Sequence, residues 1–314
     1  MGGELIRLGS RRSKLALKQA EYVKIELERA SSLRVEIVKI RTTGDAILDA
    51  PLSQVGGKGL FVKEIEEALL AGAIDLAVHS MKDVPVDLPD GLGIVCVTKR
   101  EDPRDAFLSV KYGRLSDLPQ GARVGTSSLR RQCRLLADRP DLDVVNLRGN
   151  IDTRIRKMEE GEFDAVILAA AGIRRLGLEE KIRQYLPVEH YIPAVGQGAL
   201  GIEARVDDRR AVLAAAFLND AETRLAVCAE RGMLKRIEGG CQTPIAGHAV
   251  VCADEIFLSG LVGLPDGSEI VRGSRSGPLD APEELGVALA EELLARGGRK
   301  ILDKAYEQAE VMRR

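Results

Sequence analysis

The run HSMKDVP (79–85) follows the apolar stretch IDLAV directly, so a carboxylate, Asp83, stands with His79 and Lys82 where a strand ends. A carboxylate held ionised among cations can accept hydrogen bonds from N–H groups and stabilise positive charge developing on a reacting ring. As a merely exposed Lys–Asp neighbour pair it would be worth less than about 1 kcal/mol, and residue types alone leave the two readings level. A second chemical group stands in RIEGGCQTPIAGHAV (236–250), where Cys241 follows a double glycine in a turn. A structural cysteine packs as a small hydrophobe inside a strand or helix, whereas this one sits in a turn, where a cysteine is still inert more often than reactive.

Cations gather at three further strand-to-helix junctions. These are GSRRSKLAL with Arg11, Arg12 and Ser13, GTSSLRRQCR with Ser127, Ser128, Arg130 and Arg131, and NLRGNIDTRIRK with Arg148 and Arg154. Taken singly, a serine before a helix is more often a cap and an arginine pair more often solvated. Their coincidence at the carboxyl ends of strands, beside free backbone N–H groups, points to an anionic ligand. Between Lys99 and Gly198 there are 18 basic and 15 acidic residues, and 14 of the 18 are arginine, while the whole chain carries −2. Arginine's planar fork pairs with carboxylate or phosphate through two hydrogen bonds.

The elements that must position these groups follow from periodicity. LIRLG, RVEIVKI, IDLAVHS and GLGIVCVTK read as strands, and SKLALKQAEYVKIELERA and LFVKEIEEALLAG as amphipathic helices. A second alternation follows in RDAFLSV, ARVGTS, SLRRQCRLLADR, LDVVNLR, IDTRIRKMEEG and FDAVILAA, before YIPAVGQGALGIEAR returns the chain to the first lobe. Two α/β lobes with mainly parallel sheets are expected, crossed twice by the chain to make a hinged cleft with ligands at the strand ends. The expected domains are 1–98 with 199–219, 99–198, and a small α+β domain over 220–314 whose entry loop carries Cys241.

Composition narrows the function. Among 314 residues there is no Trp and aromatics make up 3%, against a surface of stacked aromatics for nucleic acid. Five cysteines without a C-x-x-C pair argue against a disulfide framework and against a metal site. No signal-peptide pattern and no run of about 18 apolar residues occurs, so a cytoplasmic protein with neither membrane nor nucleic-acid partner is expected.

The segments RRSKLALKQA, GKGLFVKEIE, HSMKDVP, GTSSLRRQCRL, LRGNIDTRIRK, ILAAAGIRRLG, PAVGQGALGIE and EGGCQTPIAGHA together resemble the porphobilinogen deaminase (hydroxymethylbilane synthase) family, in order and spacing, to about residue 250. Lys14 and Lys18 depart from its common proline and tryptophan. The resemblance implies two periplasmic-binding-protein-like lobes, and a transferase that condenses four porphobilinogen molecules head to tail with loss of ammonia. Hydrolysis then releases hydroxymethylbilane. It implies a covalent dipyrromethane primer on Cys241, whose neighbours Gly239 and Gly240 let a bulky ring approach without Cβ clashes. By motif, Asp83 is the catalytic carboxylate. Lys82, Asp83, Ser127, Ser128, Arg130 and Arg131 would contact the cofactor, and Arg11, Ser13, Arg148, Arg154, Arg175 and Gln197 the substrate carboxylates. Lys58 and Phe61 would lie on a lid formed by the loop from Thr42 to Gly59, and a monomer is expected. The alternative from another class is a two-lobed small-anion-binding module without catalysis, which would need no glycine-flanked thiol.

Overall fold

The computed structural model describes residues 4–43, 62–237 and 243–311. Cys241, Lys58 and Phe61 therefore lie outside the described residues, as does most of the expected lid. Among described residues the first compact unit takes 4–43, 62–101 and 198–224, and the second takes 102–197 and 225–311.

The first unit opens with β1 (Leu5–Arg11), α1 (Lys14–Ala30), β2 (Arg34–Ile40), α2 (Lys63–Leu70), β3 (Leu76–Ser80) and β4 (Leu92–Val97). The second contributes β5 (Asp105–Leu108), β6 (Arg123–Gly125), α3 (Leu129–Asp138), β7 (Asp143–Val145), α4 (Ile151–Glu159), β8 (Ala165–Ala169), α5 (Ala170–Arg175) and β9 (Gln184–Tyr185). The chain then returns to the first unit for β10 (Leu200–Arg205) and α6 (Arg209–Ala216). Helix α7 (Ala221–Ile237) leads to β11 (Ile245–Cys252), β12 (Glu255–Gly263), β13 (Ile270–Pro278), α8 (Pro282–Leu293) and α9 (Arg299–Val311).

The first sheet has the order β2-β1-β3-β10-β4 and the second β7-β6-β8-β5-β9. In each, the pairings are parallel on one side and antiparallel around one inserted strand, so four of the five strands run the same way. The mainly parallel expectation holds for strand direction; β10 and β5 are the reversed strands. The third sheet, β11-β12-β13, is antiparallel throughout.

Local sequence accounts for α1. Ser13 caps it, accepting from the Ala16 amide at 3.3 Å, and Ala16, Ala20, Val23 and Leu27 recur at helical spacing on the buried face. Strand β3 is apolar and buried, and its register sets His79 opposite Gly201 of β10. A Cβ at position 201 would lie 2.3 Å from Met81 Sδ, so glycine there lets the short 3-10 turn Met81–Asp83 sit down on the sheet. The Met81 amide donates to the Ala199 carbonyl at 3.0 Å and fixes that turn, which presents Lys82 and Asp83 outward. Of the cysteines expected to pack, Cys96 and Cys133 are buried, Cys228 is half-buried, and Cys252, at the end of β11, is exposed. The strand pattern at 252 is real, but its side chain falls on the solvent side of the sheet.

Candidate active site

In the first unit the carboxyl ends of β1 and β3 meet the start of α1. Arg11, Ser13, Gln19, His79, Ser80 and Asp83 line one pocket there. Gln19 is buried on α1 and donates through Nε2 to Ser80 Oγ at 3.0 Å, tying the helix to the strand end. Asp83 is exposed and makes no hydrogen bond or ion pair with any described residue, so both its oxygens remain available to a ligand. Lys82 beside it is exposed too. The sequence motifs thus bring Arg11, Ser13 and Asp83 together on one wall.

The second unit gathers a different set around Asp105, the fully buried first residue of β5. Arg130 Nη1 donates to Asp105 Oδ2 at 2.7 Å and to the Ile192 carbonyl at 2.7 Å. Arg131 reaches Asp105 Oδ1 through Nε at 3.0 Å and Nη2 at 2.8 Å, and the Ile167 carbonyl at 3.1 Å. Gln197 Nε2 donates to the same Oδ1 at 2.9 Å and to the Pro103 carbonyl at 2.6 Å. Neither arginine is more than 6% exposed, so these side chains are held in the interior and not on a solvated helix face. Burial acts to raise the Asp105 carboxyl, but the two guanidinium groups hold it well below the ordinary carboxylate range. Two cations on one anion leave the cluster with an excess positive charge, and Arg130 Nε is buried without a hydrogen-bond partner.

Asp105 therefore carries a stability prediction. Its folded-state proton affinity is depressed, so its contribution is present above the unfolded carboxylate range and lost as pH falls through the folded value. Asp105→Asn leaves two buried guanidinium groups facing each other without their counter-ion. Urea unfolding at neutral pH is expected to show a loss of about 3–5 kcal/mol, the cost of breaking a buried pair by removing one partner. A loss below about 1 kcal/mol would show that the cluster does not hold the unit together.

The remaining expected residues of the second unit stand at the start of α3, on the turn after β7, in α4 and at the end of α5. Ser128 is the cap residue of α3, yet its hydroxyl makes no cap bond, and Ser127 and Ser128 are both half-buried. Arg148, on the turn after β7, is half-buried; its Nε is buried without a hydrogen-bond partner, and burial lowers its proton affinity. Arg154 Nε donates to the Gly149 carbonyl at 2.7 Å, shaping the turn that carries Arg148. Arg175 ends α5 and is half-buried.

In the second unit the desolvated Arg148 and the net cationic Arg130–Asp105–Arg131 cluster suit carboxylates; in the first, Asp83, unpartnered among the described residues, suits N–H donors. Sequence reading passed over Asp105 and the contact of His79 with Glu203 (β10). The available signal was a charged residue set in an apolar strand, as in DAFL and ALGIE, where a buried charge demands a partner.

Comparison with known proteins bears on this geometry. A family model described as porphobilinogen deaminase, dipyromethane cofactor binding domain, matches residues 6–213, and one described as porphobilinogen deaminase, C-terminal domain, matches 224–295. The chain is 58% identical to porphobilinogen deaminase of Pelobacter propionicus over 96% of its own length and 98% of the relative's. It is 57% identical to porphobilinogen deaminase of Geobacter sulfurreducens, covering 98% of this chain and 96% of that one. Among solved structures, immunogenic lipoprotein A from Vibrio vulnificus matches with a TM-score of 0.46 and 15% identity, over 70% of this chain and 96% of that chain.

Proposed function

Because the chain belongs to the porphobilinogen deaminase family, transferases of tetrapyrrole biosynthesis, we propose how its residues divide the work. The reaction joins four porphobilinogen molecules head to tail, loses one ammonia at each addition, and ends in hydrolytic release of hydroxymethylbilane. A bound dipyrromethane would supply the tethered, nucleophilic pyrrole ring, and Cys241 would hold it by its sulfur. Asp83 accepts hydrogen bonds from pyrrole N–H groups and stabilises positive charge as the aminomethyl nitrogen departs. Its availability beside Arg11 and Ser13 in one pocket is the observation that carries the reading.

Each pyrrole brings an acetate and a propionate, so the growing chain is densely anionic. Arg11, Arg148, Arg154 and Arg175 pair with these carboxylates, with Ser13, Lys82, Ser127 and Ser128 as further donors. Arg130, Arg131 and Gln197 are committed to Asp105 and act chiefly through the cluster's excess positive charge, which attracts the cofactor's carboxylates. The three sheets correspond to three domains, with Cys241 on the loop entering the third. A cytoplasmic monomer binding neither nucleic acid nor membrane completes the proposal, supported by the odd cysteine count and the slightly acidic balance. The non-catalytic anion-binding alternative is not favoured by the relatives' names.

The direct test is stoichiometry: incubation with porphobilinogen is expected to release four ammonia per hydroxymethylbilane, and consumption without that ratio sinks the assignment. Arg148→Gln separates binding from chemistry. The variant removes a desolvated cation that has no partner for its buried Nε, so folding stability is expected to change by less than about 1 kcal/mol. KM for porphobilinogen, by contrast, rises on the order of tenfold, as for loss of a charge-assisted hydrogen bond of about 1.5 kcal/mol. An unchanged KM removes Arg148 from substrate binding.

A further inference from the structure

The mechanism above leaves unused a buried acid–imidazole–acid cluster directly behind the Asp83 pocket. His79, on β3, lines that pocket and is 5% exposed. Its Nε2 lies 2.9 Å from Oε2 of Glu203, a wholly buried residue of β10. The pair is close but not aligned, so among the described residues neither His79 Nε2 nor either Glu203 oxygen has a hydrogen-bond partner. From α2, Glu66 is 9% exposed; burial first and then the Glu203 charge push its carboxyl up, while His79 works the other way. On the pocket side the charged groups beside His79 are Arg11 and Asp83. A buried acid–imidazole contact whose polar atoms lack hydrogen bonds stabilises a fold poorly compared with apolar residues of the same volume. Stability does not account for it, whereas titratable groups set beside a reaction pocket are placed for proton transfer.

We propose that His79 is a second proton-transferring residue of the condensation, with Glu203 as its positioning partner and Glu66 packed behind them. This rests on the deaminase reading. At each addition a C–N bond breaks with its electron pair leaving on nitrogen, a C–C bond forms from the attacking ring carbon's electron pair, and that carbon then sheds a proton. Nε2 faces Glu203, so Nδ1 is the nitrogen that takes the proton. The imidazolium so formed stands against Glu203 and gives its proton to the amine of the next porphobilinogen, whose nitrogen then leaves as neutral ammonia.

The test uses the primer-bearing enzyme. His79→Gln is expected to retain the covalent primer by mass and to keep KM within about threefold, while kcat falls on the order of a hundredfold, the typical contribution of a positioned acid–base group. In His79→Ala, added imidazole is expected to restore part of kcat, which a structural role would not allow. Glu203→Gln is expected to lower kcat about tenfold. A readout independent of turnover is heteronuclear NMR of the imidazole nitrogens: of the three histidines, His79 alone should shift in Glu203→Gln, with His190 and His248 as internal references. Primer-bearing His79 variants with kcat within about twofold of the parent, a loss that imidazole does not relieve, or an unmoved His79 signal overturns the proposal. Where a His79 variant fails to fold or to take up primer, the NMR comparison decides. A parent chain lacking the primer mass defeats the deaminase reading itself; a loaded chain indifferent to His79 defeats only this inference.

Discussion

Cys241→Ser is expected to yield a chain whose denatured mass equals that of its amino acids and whose turnover has fallen to background, a loss on the order of a thousandfold or more, about 4 kcal/mol in barrier terms. The reason is chemical and local. A thiol ionises within reach of neutral pH and its thiolate attacks an electrophilic carbon; a serine hydroxyl does neither without a dedicated base. The other cysteines do not substitute for it. Burial pushes the Cys96 and Cys133 thiols up to about 12, so neither offers a thiolate. Cys252, though exposed, sits at the far end of β11 from the entry loop. The measurement is intact mass beside turnover: the parent should carry two pyrrole units that the variant lacks. A parent chain of bare polypeptide mass that still consumes porphobilinogen at full rate would end the covalent-primer account.

Asp83→Ala separates the chemistry from the tether. It is expected to keep the primer mass and to lose kcat by roughly a hundred- to a thousandfold, the range for a group that stabilises transition-state charge. Asp83 is exposed and unpartnered among the described residues, so its removal should change folding stability by no more than about 0.5 kcal/mol. Lost activity therefore cannot be ascribed to unfolding, which urea titration checks. Asp83→Asn refines the point, because it preserves shape and one acceptor but not charge; a deficit close to that of alanine assigns the effect to charge. Retention of kcat within tenfold in Asp83→Ala would remove it from the catalytic role.

Much of this was legible in the linear chain wherever the determining interactions are short in range. The cap at Ser13 and the buried stripe of α1 follow from spacing within one helix. The placing of Asp83 at the end of an apolar strand follows from one switch in pattern, HSMKDVP after IDLAV. The alternation of strands and helices, and the return of the chain through PAVGQGALGIE into β10, were likewise readable. The resemblance of the motifs supplied the reaction, since spacing alone left Asp83 level between a catalytic group and a surface pair.

What the linear chain left undetermined depends on which distant segments become neighbours. Strand periodicity carries no direction, so the reversed insertion of β10 between β3 and β4 emerges only when the sheet is assembled. That insertion sets Glu203 against His79. Arg130 and Arg131 have the local look of a solvated pair on α3, yet the fold delivers Asp105, 25 residues earlier than Arg130, beneath them. Helical spacing can say which residues share a face, but whether that face meets water or a buried carboxylate is fixed by the sheet on which it packs. The sequence by itself determined the chemical groups and the ends of the elements that present them; the tertiary structure decided which charges are paired in the interior and which remain for a ligand, because pairing across a sheet brings together groups that no local period relates.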